Sequence, residues 1–378
     1  MKNTKKTIWY ALLIIIFIIG IVGVYNQMVQ GHSVTGINKQ VPWGVYVAAF
    51  TFFIGISTGS TLIGFMIHVF NLKNLKPLEY RAVSLGLVTL IGAIIFVMLD
   101  VGNPIRMMKV PFLMNNTTSV FFYSSLSYYA FGLLMLLLFL ALTKLKKDPK
   151  NEKLLKKVRL MSIIAFPMAM VIVLVPDGAL FSFVKAREFW NRPLLLPHFA
   201  NAALVSALAV IVIIGYISKK IQNVEILNQS ARQLLRIILI FLVSGVLFLD
   251  LFDILVLNYS EKPEGIEAWK LLTTSHLYFF ILNIFGLFFA LLLLLSKLGK
   301  QFSTMVIASI LIVFAISAYR YNLVIVGQEI PLFEGVEVLK YNITLTEIVI
   351  CAGITSFIIL AYQLVVSKFE TSETPITN

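Results

Sequence analysis

Ten apolar runs, most of them about as long as a membrane-spanning helix, limit what this chain can fold into. A helix needs roughly 20 apolar residues to cross the hydrocarbon core. With 59% hydrophobic residues in a chain of 378, a soluble globule with a large core is excluded. The sequence predicts an all-α polytopic membrane protein. Its ten predicted spans, of which the fifth and ninth are short, lie near residues 8–25, 43–70, 82–100, 119–142, 160–176, 198–217, 237–257, 272–295, 303–319 and 345–367.

The distribution of lysine and arginine predicts the orientation. With a cytoplasmic N terminus, 21 of the 31 basic residues fall in cytoplasmic segments, 8 of them in residues 143–159. The positive-inside rule therefore favours both termini in the cytoplasm. We call the loops after spans 1, 3, 5, 7 and 9 the predicted outer end, and the opposite side the predicted inner end. The net charge of +13 reflects this topology, so nucleic-acid binding does not follow from it.

Two basic segments at the predicted inner end lead to further predictions, one about lipid contact and one about the first helix. The run from Lys144 to Arg159 is basic enough to contact anionic lipid. Residues 1–25 resemble a signal sequence, because three lysines precede an apolar run. No small-x-small cleavage site follows that run, which predicts an uncleaved first helix.

Few side chains in this sequence can hold a redox centre. The single cysteine, Cys351, cannot form a disulfide within the chain or supply an iron–sulfur cluster. An intramembrane haem needs two facing histidines, and His198 with His276 is the geometrically feasible pair, although no small-residue packing pattern accompanies either. No HxxxH metal spacing occurs. The sequence therefore predicts no haem, iron–sulfur cluster or metal ion bound by this chain.

Ionisable residues within the spans cluster at one end. Such residues are costly in lipid and tend to face a bundle interior or a cavity. Most map to the predicted outer half, and His68 alone maps to the inner half; the outer set is Asp100, Asp177, His198, Asp250, Asp253, His276, Arg320 and Glu347. This asymmetry predicts a polar cavity that opens outward. Interfacial side chains reaching water are the alternative for Asp177, Arg320 and Glu347.

The most informative stretch is Asp100-Val101-Gly102-Asn103-Pro104-Ile105-Arg106, at the end of span 3. Gly102 can adopt the left-handed conformation that ends a helix, and Pro104 prevents the helix from resuming. Asp100 then lies at a helix C terminus, where the helix dipole disfavours negative charge. A capped helix end with a surface ion pair between Asp100 and Arg106 is the alternative to a functional site.

Several segments resemble the NrfD-type family, the membrane subunits of polysulfide reductase and related respiratory complexes. The likeness rests on Pro42-Trp43-Gly44 with the small-residue run after Phe53, on Pro77 to Ala82 with the stretch from Asp100 to Arg106, on Asn116-Thr117-Thr118-Ser119, and on the Trp190 to Ala203 segment. It is clear over about residues 42–130, moderate to about 215 and weak afterwards.

The resemblance implies a fold and a function. It implies one integral membrane domain, 1–378, in which four-helix bundles at 42–176 and 198–319 are flanked by an extra helix at 1–30 and another at 344–378. It also implies a subunit without haem in a prokaryotic cytoplasmic membrane. Such a subunit oxidises quinol or reduces quinone, here of menaquinone type, near the outer face. Its electron partner would be a ferredoxin-type iron–sulfur subunit bound to a catalytic subunit, often a molybdopterin enzyme.

Quinol oxidation releases two protons and two electrons, so the site needs proton acceptors. We expect Asp100 to accept a proton and Arg106 to tune it or to hold a carbonyl oxygen. Trp43 and Tyr123 would flank or hydrogen-bond the ring in a pocket of the first bundle. His198 is the candidate for a second proton carrier.

Asp250, Asp253 and His68 form a hypothetical proton path across the membrane. The two acids are three residues apart and share one face of span 7. Two other functions stay open at this point. A secondary transporter would use buried carboxylates for ion coupling, although such sites usually lie at the midplane. A purely structural anchor for an outer-facing redox enzyme would need no ligand chemistry at all.

Overall fold

Helices make up the regular structure throughout the described part of the chain, and the prediction of an all-α polytopic membrane protein is confirmed. The computed structural model describes residues 2–103, 107–109, 116–222, 224–259, 262–331 and 339–370. Ten helical segments within these ranges are long and apolar enough to span a membrane. The α-helices are Lys2–Gln30, Val45–Gly59, Thr61–Val69, Lys76–Val101, Val120–Lys147, Glu152–Pro167, Val175–Ser182, Leu195–Ile217, Gln229–Tyr259, Pro263–Thr273, Leu277–Leu295, Phe302–Glu329 and Leu345–Glu370.

Two spans consist of two helices each. Span 2 is Val45–Gly59 followed by Thr61–Val69, with Ser60 between them. Span 5 is Glu152–Pro167 and Val175–Ser182, joined by the π-helical turn Met168–Leu174. Proline lacks an N–H and its ring crowds the carbonyl four residues earlier, which explains why the ladder widens in this proline-flanked stretch. Pro263–Thr273 is a short helix between spans 7 and 8.

Spans 5 and 9, expected to be short, are both long. Span 5 begins at Glu152 because the Asn151 side chain caps it, accepting a hydrogen bond from the Leu154 amide at 3.1 Å. Span 9 runs on to Glu329 because its last polar residues are buried in protein, where hydropathy is a poor guide. Both helices are therefore longer than their apolar cores.

The contacts between spans form two closed rings. Spans 2, 3, 4 and 5 contact one another in sequence, with span 5 returning to span 2, and spans 6 to 9 do the same. Span 2 also contacts spans 6 and 9, while spans 1 and 10 pair with each other and reach span 3 through span 10. Gly59 allows the close approach of spans 2 and 6, since a Cβ there would clash with the Ala203 carbonyl. The boundaries expected for the bundles, 42–176 and 198–319, stay a prediction.

Candidate functional site at the predicted outer end

Asp100 lies at the last turn of span 3, held by contacts from spans 1 and 2. Span 3 ends at Val101, and Gly102 follows in the left-handed region with φ of 69°. Gln27 of span 1 donates to the Leu99 carbonyl at 3.1 Å and accepts from the Tyr46 hydroxyl at 2.7 Å. Asp100 Oδ1 is buried and has no hydrogen-bond partner in the described ranges. This oxygen can accept a proton, or a hydrogen bond from a hydroxyl group.

His32 lies beside the same helix end. It belongs to the 3-10 turn Gly31–Val34, directly after span 1. Its Nε2 faces Gly102 so closely that a Cβ on that glycine would lie 2.8 Å away. Its Nδ1 is buried without a hydrogen-bond partner in the part of the chain that the structure describes. No sequence motif singled out His32, although its place just after span 1 puts it at the predicted outer end.

Glu347 closes this region from span 10. Its carboxylate is fully buried and accepts from the Gly36 amide at 3.0 Å and the Tyr341 hydroxyl at 2.7 Å. The same hydroxyl accepts from the Val45 amide at 2.9 Å. Burial and the nearby Glu347 carboxylate raise the pKa of Tyr341 well above its usual value, so this phenol stays protonated. Glu347 also interacts electrostatically with Asp100, which places both acids in one region.

A second group of ionisable residues joins spans 6, 7 and 8. His198 Nε2 is 2.7 Å from Asp250 Oδ1, and both side chains are buried. Asn283 donates to Asp250 Oδ2 at 3.3 Å, and the Tyr319 ring stacks on the imidazole with centroids 4.0 Å apart. The carboxylate therefore favours the tautomer with hydrogen on Nε2, leaving Nδ1 as the basic nitrogen. This assignment follows from the hydrogen-bond pattern.

Two adjoining cavities lead to this group. The larger cavity, of about 400 Å³, is lined by Lys185, Glu188, Arg192, Asp253 and Lys262, among others. The smaller cavity, of about 40 Å³, shares Arg192 and Asp253 with the larger one and reaches Asp250, Asn283 and Tyr319. Arg192 forms an ion pair with Asp253 at 2.9 Å where the cavities meet. The two acids of span 7 therefore both line the smaller cavity, from one face of their helix.

The interface between the two rings of spans is also polar. Asp177 of span 5 is fully buried and accepts a hydrogen bond from the Tyr128 hydroxyl of span 4. Arg320 of span 9 interacts electrostatically with Asp177 and lies over the Phe199 ring, 3.7 Å from its centroid. Both residues are thus interior, which removes the snorkelling alternative for them.

Trp43 is part of an aromatic cluster next to that interface. Its ring stacks on Trp190 and meets Phe181 edge-on, each at a centroid distance of 5.7 Å. Gln328 binds both the amide and the carbonyl of Trp43, at 3.0 and 2.9 Å. The following residue, Gly44, uses its amide to interact with the Asp100 carboxylate. The backbone at Trp43 is therefore fixed immediately beside Asp100.

The other predicted site residues are spread apart. The Tyr123 side chain is 54% exposed and contacts Phe122 edge-on. His68 lies at the predicted inner end, where its Nε2 is 2.7 Å from Glu79, which also accepts from Ser162 at 3.0 Å. Arg106 lies outside the described residues.

The pair feasible as haem ligands is His198 and His276. In each of them, Nε2 contacts a carboxylate oxygen. The partner of His276 is Glu329, at 2.8 Å. Within the described residues, no group of three or more histidine, cysteine, aspartate or glutamate side chains is placed to hold a metal ion.

Comparisons with known proteins agree with the motif-based resemblance. Residues 33–331 match the family described as polysulphide reductase, NrfD. The Hdr-like menaquinol oxidoreductase integral membrane subunit of Archaeoglobus fulgidus is 26% identical, covering 85% of this chain and 80% of that protein. A selenate reductase subunit of Mesobacillus selenatarsenatis is 24% identical, covering 96% of this chain and 93% of that protein.

The comparison with solved structures concerns the fold alone. The bd oxidase structure from Geobacillus thermodenitrificans aligns with 94% of this chain and 96% of that chain, with a TM-score of 0.50 and 12% identity. The family match spans most of the chain and confirms the resemblance inferred from its motifs. The chain belongs to the NrfD family.

Proposed function

We propose that this chain is the quinone-reactive membrane subunit of a respiratory oxidoreductase complex. It oxidises quinol, or reduces quinone, near the outer face of the cytoplasmic membrane. The observation that carries the proposal is Asp100 Oδ1, a buried carboxylate oxygen without a partner in the described ranges, at a fixed helix end. Two relatives are named as menaquinol oxidoreductase and menaquinone reductase membrane subunits, which supports a quinone of menaquinone type.

The reaction needs two proton acceptors and an electron acceptor. Quinol loses two protons and two electrons as its two O–H bonds break and two C=O bonds form. Asp100 accepts one proton on Oδ1, and His32 is placed at the same helix end to accept the other. The two electrons pass to a ferredoxin-type iron–sulfur subunit of the complex, and through it to or from a catalytic subunit. The relatives named as selenate reductase and dimethyl sulfoxide reductase subunits support such partners.

Residues around Asp100 orient the ring. Trp43 directly precedes the Gly44 amide that contacts Asp100, and its ring would flank the quinone. Arg106, six residues after Asp100, would hold a carbonyl oxygen of the quinone. Tyr123 would approach from span 4, and its exposure makes it a contact for the ring only at the lipid-facing entrance.

The group around His198 is proposed to move protons between the site and the predicted outer surface. His198 and Asp250 share one short hydrogen bond, and Asp253 connects that pair to the larger cavity. Proton release on the side of the iron–sulfur partner then needs no passage across the membrane. His68 belongs to a separate pair at the other end, so its place in a path with Asp250 and Asp253 requires intervening water.

The substitution Asp100→Asn tests the proposal. It removes the carboxylate that accepts the proton while keeping the shape of the side chain. Quinol-dependent reduction of the partner should therefore fall about 10²-fold or more. Glu267→Gln is the matched control, because this acid lies at the same end and pairs with Lys270 on its own helix. Both variants should assemble normally.

The complex is purified for each variant, and turnover is measured with a soluble menaquinol analogue. Wild-type turnover of an intact Asp100→Asn complex would remove Asp100 from the mechanism. A complex that assembles with its partner but neither oxidises quinol nor responds to quinone-site inhibitors would identify a structural anchor instead.

A further inference from the structure

A basic cavity lies at the predicted inner end, remote from the proposed quinone site. It has a volume of about 160 Å³ and is formed where spans 7 and 9 begin and span 8 ends. Its lining consists of three basic side chains, three amides, two apolar side chains and a glycine; these are Arg232, Arg236, Lys300, Gln229, Gln233, Gln301, Phe302, Met305 and Gly299. None of these described lining residues is acidic, so the cavity carries positive charge.

Glu225, an acid near the cavity, does not neutralise it. Its carboxylate is 3.5 Å from Arg232, but its side chain is 47% exposed and already binds Lys219 at 2.7 Å. Exposed pairs of this kind contribute little because water screens them. Lys219 and Glu225 form the closer pair, and the charge of Arg232 stays available to a ligand.

Two of the three basic side chains, Arg232 and Arg236, are held in place. Arg236 donates to the Leu294 carbonyl at 2.7 Å and, through Nη2, to the Ser296 carbonyl at 3.3 Å. These contacts use the end of span 8 as an anchor for the guanidinium group. Arg232 lies over the Phe302 ring, 4.9 Å from its centroid. A ligand in the cavity therefore meets charges whose positions are already ordered.

The starts of two long helices add to the positive potential. Span 7 begins at Gln229 and span 9 at Phe302, and both residues line the cavity. The first turn of a helix presents unpaired N–H groups and the positive end of its dipole. Within the described residues, the Gln301 side chain makes no capping hydrogen bond to span 9, so amides of that turn stay available to an anion.

Apolar side chains continue from the cavity toward the membrane interior. Ile237, next to Arg236, is 61% exposed, and Phe241, one turn further, is 77% exposed. Leu292 and Leu295 of span 8, the helix whose end anchors Arg236, are also exposed. A ligand with a negative head and apolar tails can therefore place both parts against matching surfaces.

We propose that this cavity binds the phosphodiester headgroup of an anionic phospholipid from the predicted inner leaflet. The phosphate oxygens accept hydrogen bonds from Arg232, Lys300 and the first turn of span 9, and the acyl chains lie along spans 7 and 8. Basic pockets between membrane helices on the cytoplasmic side commonly recognise such headgroups. The site is independent of the quinone chemistry proposed above.

The test measures lipid retention and not turnover. The full chain, in its complex, is transferred to nanodiscs that contain phosphatidylglycerol or phosphatidylcholine, and bound lipid is counted by native mass spectrometry. Arg232→Gln and Lys300→Gln should each weaken phosphatidylglycerol retention about fivefold, and the double variant about thirtyfold. The control Lys6→Gln/Lys76→Gln removes the same charge from exposed side chains at the predicted inner end that do not line the cavity, and it should retain lipid normally.

Three results would overturn the proposal. The first is equal retention of phosphatidylcholine and phosphatidylglycerol, since the site would then not distinguish lipids by the net charge of the headgroup. The second is equal loss in the control and the cavity variants, which would indicate general surface attraction. The third is complete displacement of the lipid by inorganic phosphate at equal concentration, which would identify a site for free phosphate. Retention that follows the cavity variants alone supports the lipid site.

Discussion

Replacing Gly102 by alanine tests whether His32 and the end of span 3 form one site. Gly102 has φ of 69°, a conformation that costs an alanine roughly 1–2 kcal/mol. The added Cβ would lie 2.8 Å from His32 Nε2, whereas non-bonded atoms normally sit about 3.5–4.0 Å apart. The imidazole must therefore retreat by roughly 0.7–1.2 Å. Because it is the end of a side chain, it can do so at little further cost in stability.

Gly31→Ala is the matched control. Gly31 has φ of 66°, so the backbone penalty is the same, but a Cβ there would meet none of the described atoms within 4 Å. Both variants should lower the free energy of unfolding by the same roughly 1–2 kcal/mol, measured by thermal unfolding in detergent. Only Gly102→Ala displaces His32.

Quinol-dependent reduction of the partner subunit is the discriminating assay. Gly102→Ala should lose at least about tenfold in turnover, the low side of what a positioned acid–base group contributes. Gly31→Ala should keep wild-type turnover. Adding His32→Ala to Gly102→Ala should cost little more, because both act on the same group. Equal turnover of the two glycine variants, or fully additive losses in the double variant, would refute the link between His32 and the site.

Two further predictions concern stability. Asp250→Asn exchanges a charged acceptor of His198 for a neutral one, so it should destabilise the protein by roughly 0.5–2 kcal/mol; an unchanged unfolding temperature would contradict this. Trp190→Phe removes the hydrogen bond from Nε1 to the Leu323 carbonyl, 2.6 Å long and buried, and should cost about 1–3 kcal/mol in the same measurement. Full stability of Trp190→Phe would mean that another group reaches that carbonyl.

The spans could be predicted from sequence because lipid imposes a length and a polarity on each one. The limits of that rule are visible in span 9. Its last turns carry Arg320, Asn322 and Glu329, which hydropathy assigns to a loop, yet all three are buried against other spans. A polar residue shielded by protein obeys the energetics of hydrogen bonding and not those of lipid. Sequence alone does not distinguish the two environments.

The partners of the ionisable groups could not be predicted, because they are far apart in the chain. The position of Asp100 at a helix end follows from Gly102 and Pro104 in the sequence, whereas the approach of His32 depends on how spans 1 and 3 pack. The same holds for His198 and Asp250, which are 52 residues apart. Periodicity shows which face of a helix is buried, but not which neighbour covers it.

The pairing of the histidines favours the Asp100 region over the group around His198 as the proposed quinone site. Three of the four imidazoles already use Nε2 for a carboxylate at 2.7–2.8 Å, so quinol would have to break a buried ion pair or hydrogen bond to engage them. Leaving a buried charge without its partner costs about 3–5 kcal/mol. Within the described ranges, His32 has no such acid partner. Asp100 Oδ1 likewise accepts no hydrogen bond there. An acceptor that forms no bond in the resting protein loses nothing when substrate arrives, so its full hydrogen-bond energy is available for binding the hydroxyl groups.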